Sequence, residues 1–241
     1  MKKCLVSLLT LIAVLTLNST AAQIRVKQGA TGAGDGSSWA DAYTTIQAAI
    51  TASTAGDEVW IAAGVYVYPK GTQVVVDKNL SIYGGFAGVS EAETVATRDY
   101  DENQTILSGD SNDNAVWIHH VPDFENFTET TTTTTLPLIV NNKANIPMAF
   151  DTDFDYYSPT IEATDGGQKM LLVNDTISAV VDGLWFVAAY GDGNGFGVLH
   201  FGKAGAGSAV RNIRMVGCYN NAHNTAVLFH GGAKMTIENC G

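Results

Sequence analysis

Ala55–Gly88 reads AGDEVWIAAGVYVYPKGTQVVVDKNLSIYGGFAG, and two short apolar strands within it share one phase. Val59 and Ile61 alternate with Glu58, Trp60 and Ala62, and Leu80 and Ile82 alternate with Asn79, Ser81 and Tyr83, a step of 21 residues from Val59 to Leu80. Strands this short cannot each bury a face alone, but stacked as successive coils of a solenoid they can. The stretch predicts an all-β chain folded as a right-handed parallel β-helix.

The same phase places further rungs. Thr105–Gly109 sets Leu107 against Ile82 and Gly109 against Gly84 at a step of 25, with Ile106 pointing outward. Leu184 and Phe186, Ile213 and Met215, then Met235 and Ile237 repeat at steps of 29 and 22. Asn79, Gly183 and Asn212 each precede one of these strands, and Asn and Gly are the residues that tolerate a left-handed backbone at a corner.

Toward the N-terminus, GATGAGDGSS from Gly29 to Ser38 forms a glycine-rich loop, and Ser38 with Asp41 resembles a capping box. Trp39, Tyr43, Ile46 and Ile50 then make one apolar helical stripe that ends near Thr54–Gly56. The helix is expected to cap the first rung, because an open solenoid end leaves strand edges that template association. Further out, residues 1–22 carry Lys2, Lys3, an apolar run from Cys4 to Leu17 and small residues up to Ala22. That is the pattern of a signal peptide cleaved before Gln23, which directs the chain to the outside of the cell or its surface.

In the other direction the phase is lost at about 119–168, where a threonine run spans Thr128–Thr135 and Pro137, Pro147 and Pro159 disfavour central strands. This reads as an insertion loop, with the threonine run a flexible or glycosylated spacer. The sequence stops at Cys240–Gly241 in mid-rung, so residues 23–241 read as the N-terminal portion of a longer helix.

Composition narrows the partners. The chain is 46% hydrophobic, only 15% charged and holds 25 glycines, as a turn-dense β protein with a core requires. Removing Lys2 and Lys3 takes the formal net charge from −11 to −13. Nucleic acid and anionic membranes are poor partners for such a chain. Neutral glycans or surface proteins fit it better, and no segment after the signal is expected to span a membrane.

The stretches GDGSSWADAYTTIQAAI (34–50), GDEVWIAAGVY (56–66), LSIYGGFAG (80–88), Arg98-Asp99 with TILSGD (105–110), VVDGLWF (180–186) and Gly217–Cys240 resemble secreted bacterial β-helix proteins. The resemblance is to the pectin-lyase-like superfamily, in particular surface proteins of the polymorphic outer-membrane and choice-of-anchor kinds. It implies the fold, export and an adhesin-like or glycan-binding role without catalysis. A polysaccharide lyase or glycoside hydrolase of the same superfamily is the alternative, because one fold hosts unrelated functions.

Hydrolases need paired carboxylates, and lyases need a base beside a cation. Neither set stands out in the readable repeats, where Asp182 occupies a corner and Arg211 and Arg214 flank a rung. Asp151, Asp153 and Asp155 with Glu162 have the ligand spacing of a calcium loop, although Tyr156 stands where the turn wants glycine and Pro159 follows. The competing reading is a solvated acidic loop. Asp110, Asn112 and Asn114 make a weaker version of the spacing.

Trp60 and Trp185 fall at outward positions, where an indole either stacks on a sugar ring or is covered by the helix or the insertion; burial of large aromatics favours cover. His200 is expected to stack on Phe229 at a step of 29, and His119, His120, His223 and His230 form no cluster. Cys218 and Cys240, 22 residues apart, are expected on adjacent rungs as buried thiols. The spacing of parallel strands, about 4.8 Å, lies within disulfide reach, whereas the parallel run of stacked side chains opposes the bond.

Overall fold

The computed structural model describes residues 21–123, 125–134, 137–146, 156–160, 170–191, 198–220, 227–229 and 231–241. The chain is mostly parallel β-sheet with little helix, an arrangement compatible with a β-helix. Three parallel sheets carry the core. The first contains, in spatial order, Gln23–Val26, Glu58–Ala62, Leu80–Phe86, Ala179–Asp182, Ala209–Arg211 and Thr236–Glu238. The second runs Gly64–Val67, Thr105–Ser108, Leu184–Val187, Arg214–Val216, and the third Val74–Val76, Leu171–Val173, Leu199–Phe201, Val227–Phe229. From Glu58 onward the chain visits first, second and third sheet in the same repeating order.

Alternation decides what faces inward. Val59, Ile61, Ile82, Leu107, Val181, Phe186, Leu199 and Val210 all belong to one buried cluster, drawn from all three sheets. The register differs in detail from the sequence reading. Val59 pairs with Ile82, a step of 23, and a bulge at Gly84 and Gly85 then sets Ala62 opposite Phe86, a step of 24. A shift of two residues preserves which side chains face inward, so the alternation alone could not detect it. Thr105–Ser108 does not lie beside Ile82. It sits in the second sheet, with Leu107 between Tyr66 and Phe186. Ile106 does point outward and is buried beneath other chain. Phe186 and Met215 pair at the expected step of 29, but Ile237 pairs with Val210 rather than Met215.

The helix is shorter than its apolar stripe. It spans Ile46–Ala52, with Thr45 as the N-cap whose hydroxyl accepts from the Ala48 N–H. Asp41 N–H donates to Ser38 Oγ at 3.0 Å, one bond of a capping box, while the Ser38 hydroxyl donates to Asp41 Oδ2 at 2.8 Å in place of the reciprocal backbone bond, and no helix follows. Residues 36–43 are instead drawn into extended bonding with the edge of Gln23–Val26. Arg25 N–H donates to Gly36 O, Tyr43 N–H to Arg25 O and Lys27 N–H to Tyr43 O. Trp39 leaves the helix stripe for a separate aromatic cluster with Trp60, Ala62 and Phe86.

The threonine run is a strand rather than a spacer. Thr128–Thr134 pairs antiparallel with Val116–Asp123, which pairs on its other side with Tyr156–Thr160. β-Branched threonine suits that pleated surface, and Pro159 is accommodated because its strand is at an edge. Among the described residues no helix is long and apolar enough to cross a membrane.

Candidate functional site

The corner between the first and second sheets holds a side-chain hydrogen-bond network and a buried ion pair. Gly183 (φ 74°) and Asn212 (φ 52°) turn it in the left-handed region, as their types allow, and Asn239 (φ 50°) does the same at the next level. Asn79 does not. It stands before Leu80 at a different corner, where its side-chain oxygen accepts from Ser178 N–H and its carbonyl from Gly56 N–H. Asn212 and Asn239 belong to a side-chain ladder with Asp182, the residue before Gly183. Asn239 Nδ2 donates to Asn212 Oδ1 at 2.7 Å, and Asn212 Nδ2 donates to Asp182 Oδ1 at 2.7 Å.

The ladder ends on a buried ion pair. Arg98 Nη2 lies 2.6 Å from Asp182 Oδ1, with the two side chains only 5% and 7% exposed. The guanidinium also donates to the carbonyls of Gly84 and Val95 and faces the Tyr83 and Tyr100 rings. Gly183 has no room for a side chain, since a Cβ would collide with Arg98 Nη1. Asp182 Oδ1 and the Arg98 guanidinium are engaged inside the protein, so the pair positions a corner. Nothing in the sequence spacing joins Arg98 to Asp182, 84 residues apart.

Trp60 and Trp185 offer no ring to a sugar. Trp60 is 3% exposed, stacked on Phe86 at a centroid distance of 4.7 Å, and its Nε1 donates to Glu58. Trp185 is 5% exposed beneath Leu138 and the neighbouring Ile139–Ala144 hairpin, with Nε1 donating to Tyr100 O. Both are covered because an outward indole in a sheet otherwise exposes a large apolar area.

Asp151, Asp153, Asp155 and Glu162 lie outside the described residues, as do His223 and His230. Among the described residues no group of three or more metal-ligating side chains forms. The Asp110 carboxylate is occupied by a turn, accepting from Asn112, Asn114 and Ala115 N–H. His200 is buried and lies opposite Leu228, because Leu199 pairs with Val227 at a step of 28.

Cys218 and Cys240 are free and do not stack. Gly241 N–H donates to Ile213 O and Gly241 O accepts from Met215 N–H, which sets Cys240 opposite Ile213 and leaves Cys218 five residues further along. Cys218 is half-buried, and loss of water pushes its thiol up to about 11. Cys240 is exposed.

The described surface also carries an open depression of about 360 Å³ where the edge of the second sheet meets the start of the helix. Gln28, Thr44, Gln47, Tyr66, Tyr68 and Thr72 contribute to its walls, and no lining residue bears a charge. Burial raises both phenols well above their ordinary value, so the tyrosines stay neutral. Amides, hydroxyls and phenols in a cleft of this size match the makeup of ligand pockets, which place a few polar groups among apolar surface.

No known protein family, curated protein or solved structure matches this chain.

Proposed function

We propose that the chain is a secreted or surface-displayed right-handed parallel β-helix of the pectin-lyase-like kind, closed at its N-terminal end by Ile46–Ala52, that binds a glycan or a surface protein without cleaving it. The repeated visit to three parallel sheets supports the solenoid reading. The helix contributes buried Ile46, Ala49 and Ile50 to the core beside the first strands, which is where a cap would stand. The observation that carries the binding role is the uncharged depression at Tyr66 and Tyr68 in an otherwise acidic chain. A neutral ligand meets no repulsion there, whereas an anionic polysaccharide would meet the net charge of the whole molecule.

Incubation with a panel of plant and algal polysaccharides tests the role. The expected result is saturable retention of a neutral glycan, with no new reducing or unsaturated ends. Release of such ends from any substrate would overturn it in favour of a lyase or hydrolase.

A further inference from the structure

The three parallel sheets each begin with an edge strand, and the chain treats the three edges differently. At Gln23–Val26 the outward-facing groups of Arg25 and Lys27 are bonded by residues 36–43. At Val74–Val76, Val74 and Val76 bond the neighbouring strand and Val75 faces out. The side-chain amide of Gln47 closes on it from the helix: Val75 N–H donates to Oε1 at 2.7 Å and Nε2 donates to Val75 O at 3.3 Å. One side chain thereby replaces a missing strand residue.

The third edge is left open. Gly64 N–H donates to Gln104 O and Tyr68 N–H to Ser108 O, so Gly64, Tyr66 and Tyr68 face Thr105–Ser108 and Val65 and Val67 face away. Of the outward groups, Val65 O accepts from Gln28 Nε2 at 2.6 Å. Val65 N–H, Val67 N–H and Val67 O have no partner among the described residues, and Val67 lines the uncharged depression. Unpaired strand edges are normally covered or blunted by charge, because they template pairing with another chain. Here one edge is covered at Arg25 by residues 36–43, a second at Val75 by Gln47, and the third has a neutral recess beside it.

Building on the binding role above, we propose that the Gly64–Val67 edge is a strand-addition site for an extended, uncharged peptide segment of a partner protein. Such a segment lies about 4.8 Å from Gly64–Val67 and needs about 10 Å of edge for three residues. Its carbonyls accept from Val65 and Val67 N–H, and one of its N–H groups donates to Val67 O. Main-chain bonds supply the affinity in this mode and flanking pockets the selectivity. An acidic segment is excluded by the charge of the chain, −11 for the sequence as a whole.

The test follows amide hydrogen exchange of the full chain while titrating the acetylated, amidated peptide Thr-Val-Thr-Val-Thr, chosen as uncharged and β-branched. Exchange at Val65 and Val67 is expected to slow about tenfold when the peptide is near ten times its dissociation constant. The same peptide N-methylated at both valines, or with glutamates replacing the threonines, is expected to give no slowing. Val67→Pro, which removes one donor, is expected to abolish binding, and the N-methylated peptide gives the same answer without altering the protein. No slowing with millimolar peptide, equal slowing with the N-methylated peptide, or slowing by neutral oligosaccharides alone would each overturn the proposal. Failure here leaves the non-catalytic role intact, since that role falls only if polysaccharide is cleaved.

Discussion

Replacing Asp182 with alanine is the sharpest perturbation of the corner that joins the first and second sheets. The substitution leaves the Arg98 guanidinium, 5% exposed, without its counter-charge. Breaking a buried ion pair from one side costs about 3–5 kcal/mol, chiefly because a charge stays buried and uncompensated. Asn212 Nδ2 also loses its acceptor, for about 1 kcal/mol at a partly buried site. Against this, Arg98 keeps the carbonyls of Gly84 and Val95 and two tyrosine faces, which draws the total toward about 4 kcal/mol. Domains have about 5–15 kcal/mol in all, so the loss is a large fraction of it. Urea unfolding followed by circular dichroism measures it as a fall in midpoint at constant slope. Arg98→Met in the same chain removes the orphaned charge, and the double variant is expected to cost less than the sum of the two single variants. A loss below about 1 kcal/mol for Asp182→Ala would place the pair among exposed, weak ion pairs and refute the reasoning. Additive costs in the double variant would refute it equally.

Other outcomes follow from the same geometry. Gly183→Ala forces a side chain into Arg98 and into a left-handed backbone, and is expected to cost more than the roughly 1–2 kcal/mol of the backbone strain alone in urea unfolding. Gln47→Ala bares both main-chain groups of Val75 and is expected to lower stability by about 1–3 kcal/mol, with faster amide exchange at Val75. Because burial pushes the Cys218 thiol up to about 11, its thiolate is scarce at pH 8; alkylation of native protein is expected to label Cys240 first, with Cys218 labelled only as the pH rises or on unfolding. If Asp151, Asp153, Asp155 and Glu162 bind calcium, millimolar calcium raises the melting temperature and Asp153→Ala abolishes the rise; no shift in the unmutated chain retires the site.

The inward faces were legible because alternation has a period of two: Val59, Ile61, Leu80 and Ile82 are all core residues. The same period hid the registers. A step of 21 and a step of 23 bury the same side chains, and three sheets with one shared alternation give no sign of which sheet Thr105–Ser108 joins. The misplaced Cys240 had a readable alternative. Asp182-Gly183, Arg211-Asn212 and Glu238-Asn239 each put a charged residue before one that tolerates the left-handed region, and that repeat gives the observed step of 27 from Val210 to Ile237. The helix start misled because Asp41 N–H does bond Ser38 Oγ as in a cap, while the backbone around them is claimed by the Gln23–Val26 edge. The open edge at Val65 and Val67 leaves no mark in composition at all. It emerges only from comparing three edges in space.

Strands far apart in sequence lie side by side and parallel, with Ser81 paired to Val180. Both side chains are half-buried and border an open groove, so each position accepts a spin label through Ser81→Cys and Val180→Cys in a Cys4→Ser, Cys218→Ser, Cys240→Ser background. Paired parallel neighbours sit about 4.8 Å apart at the backbone, so the account predicts strong dipolar broadening with label separations below about 15 Å. A separation beyond about 20 Å, several strand spacings, would contradict the parallel stack.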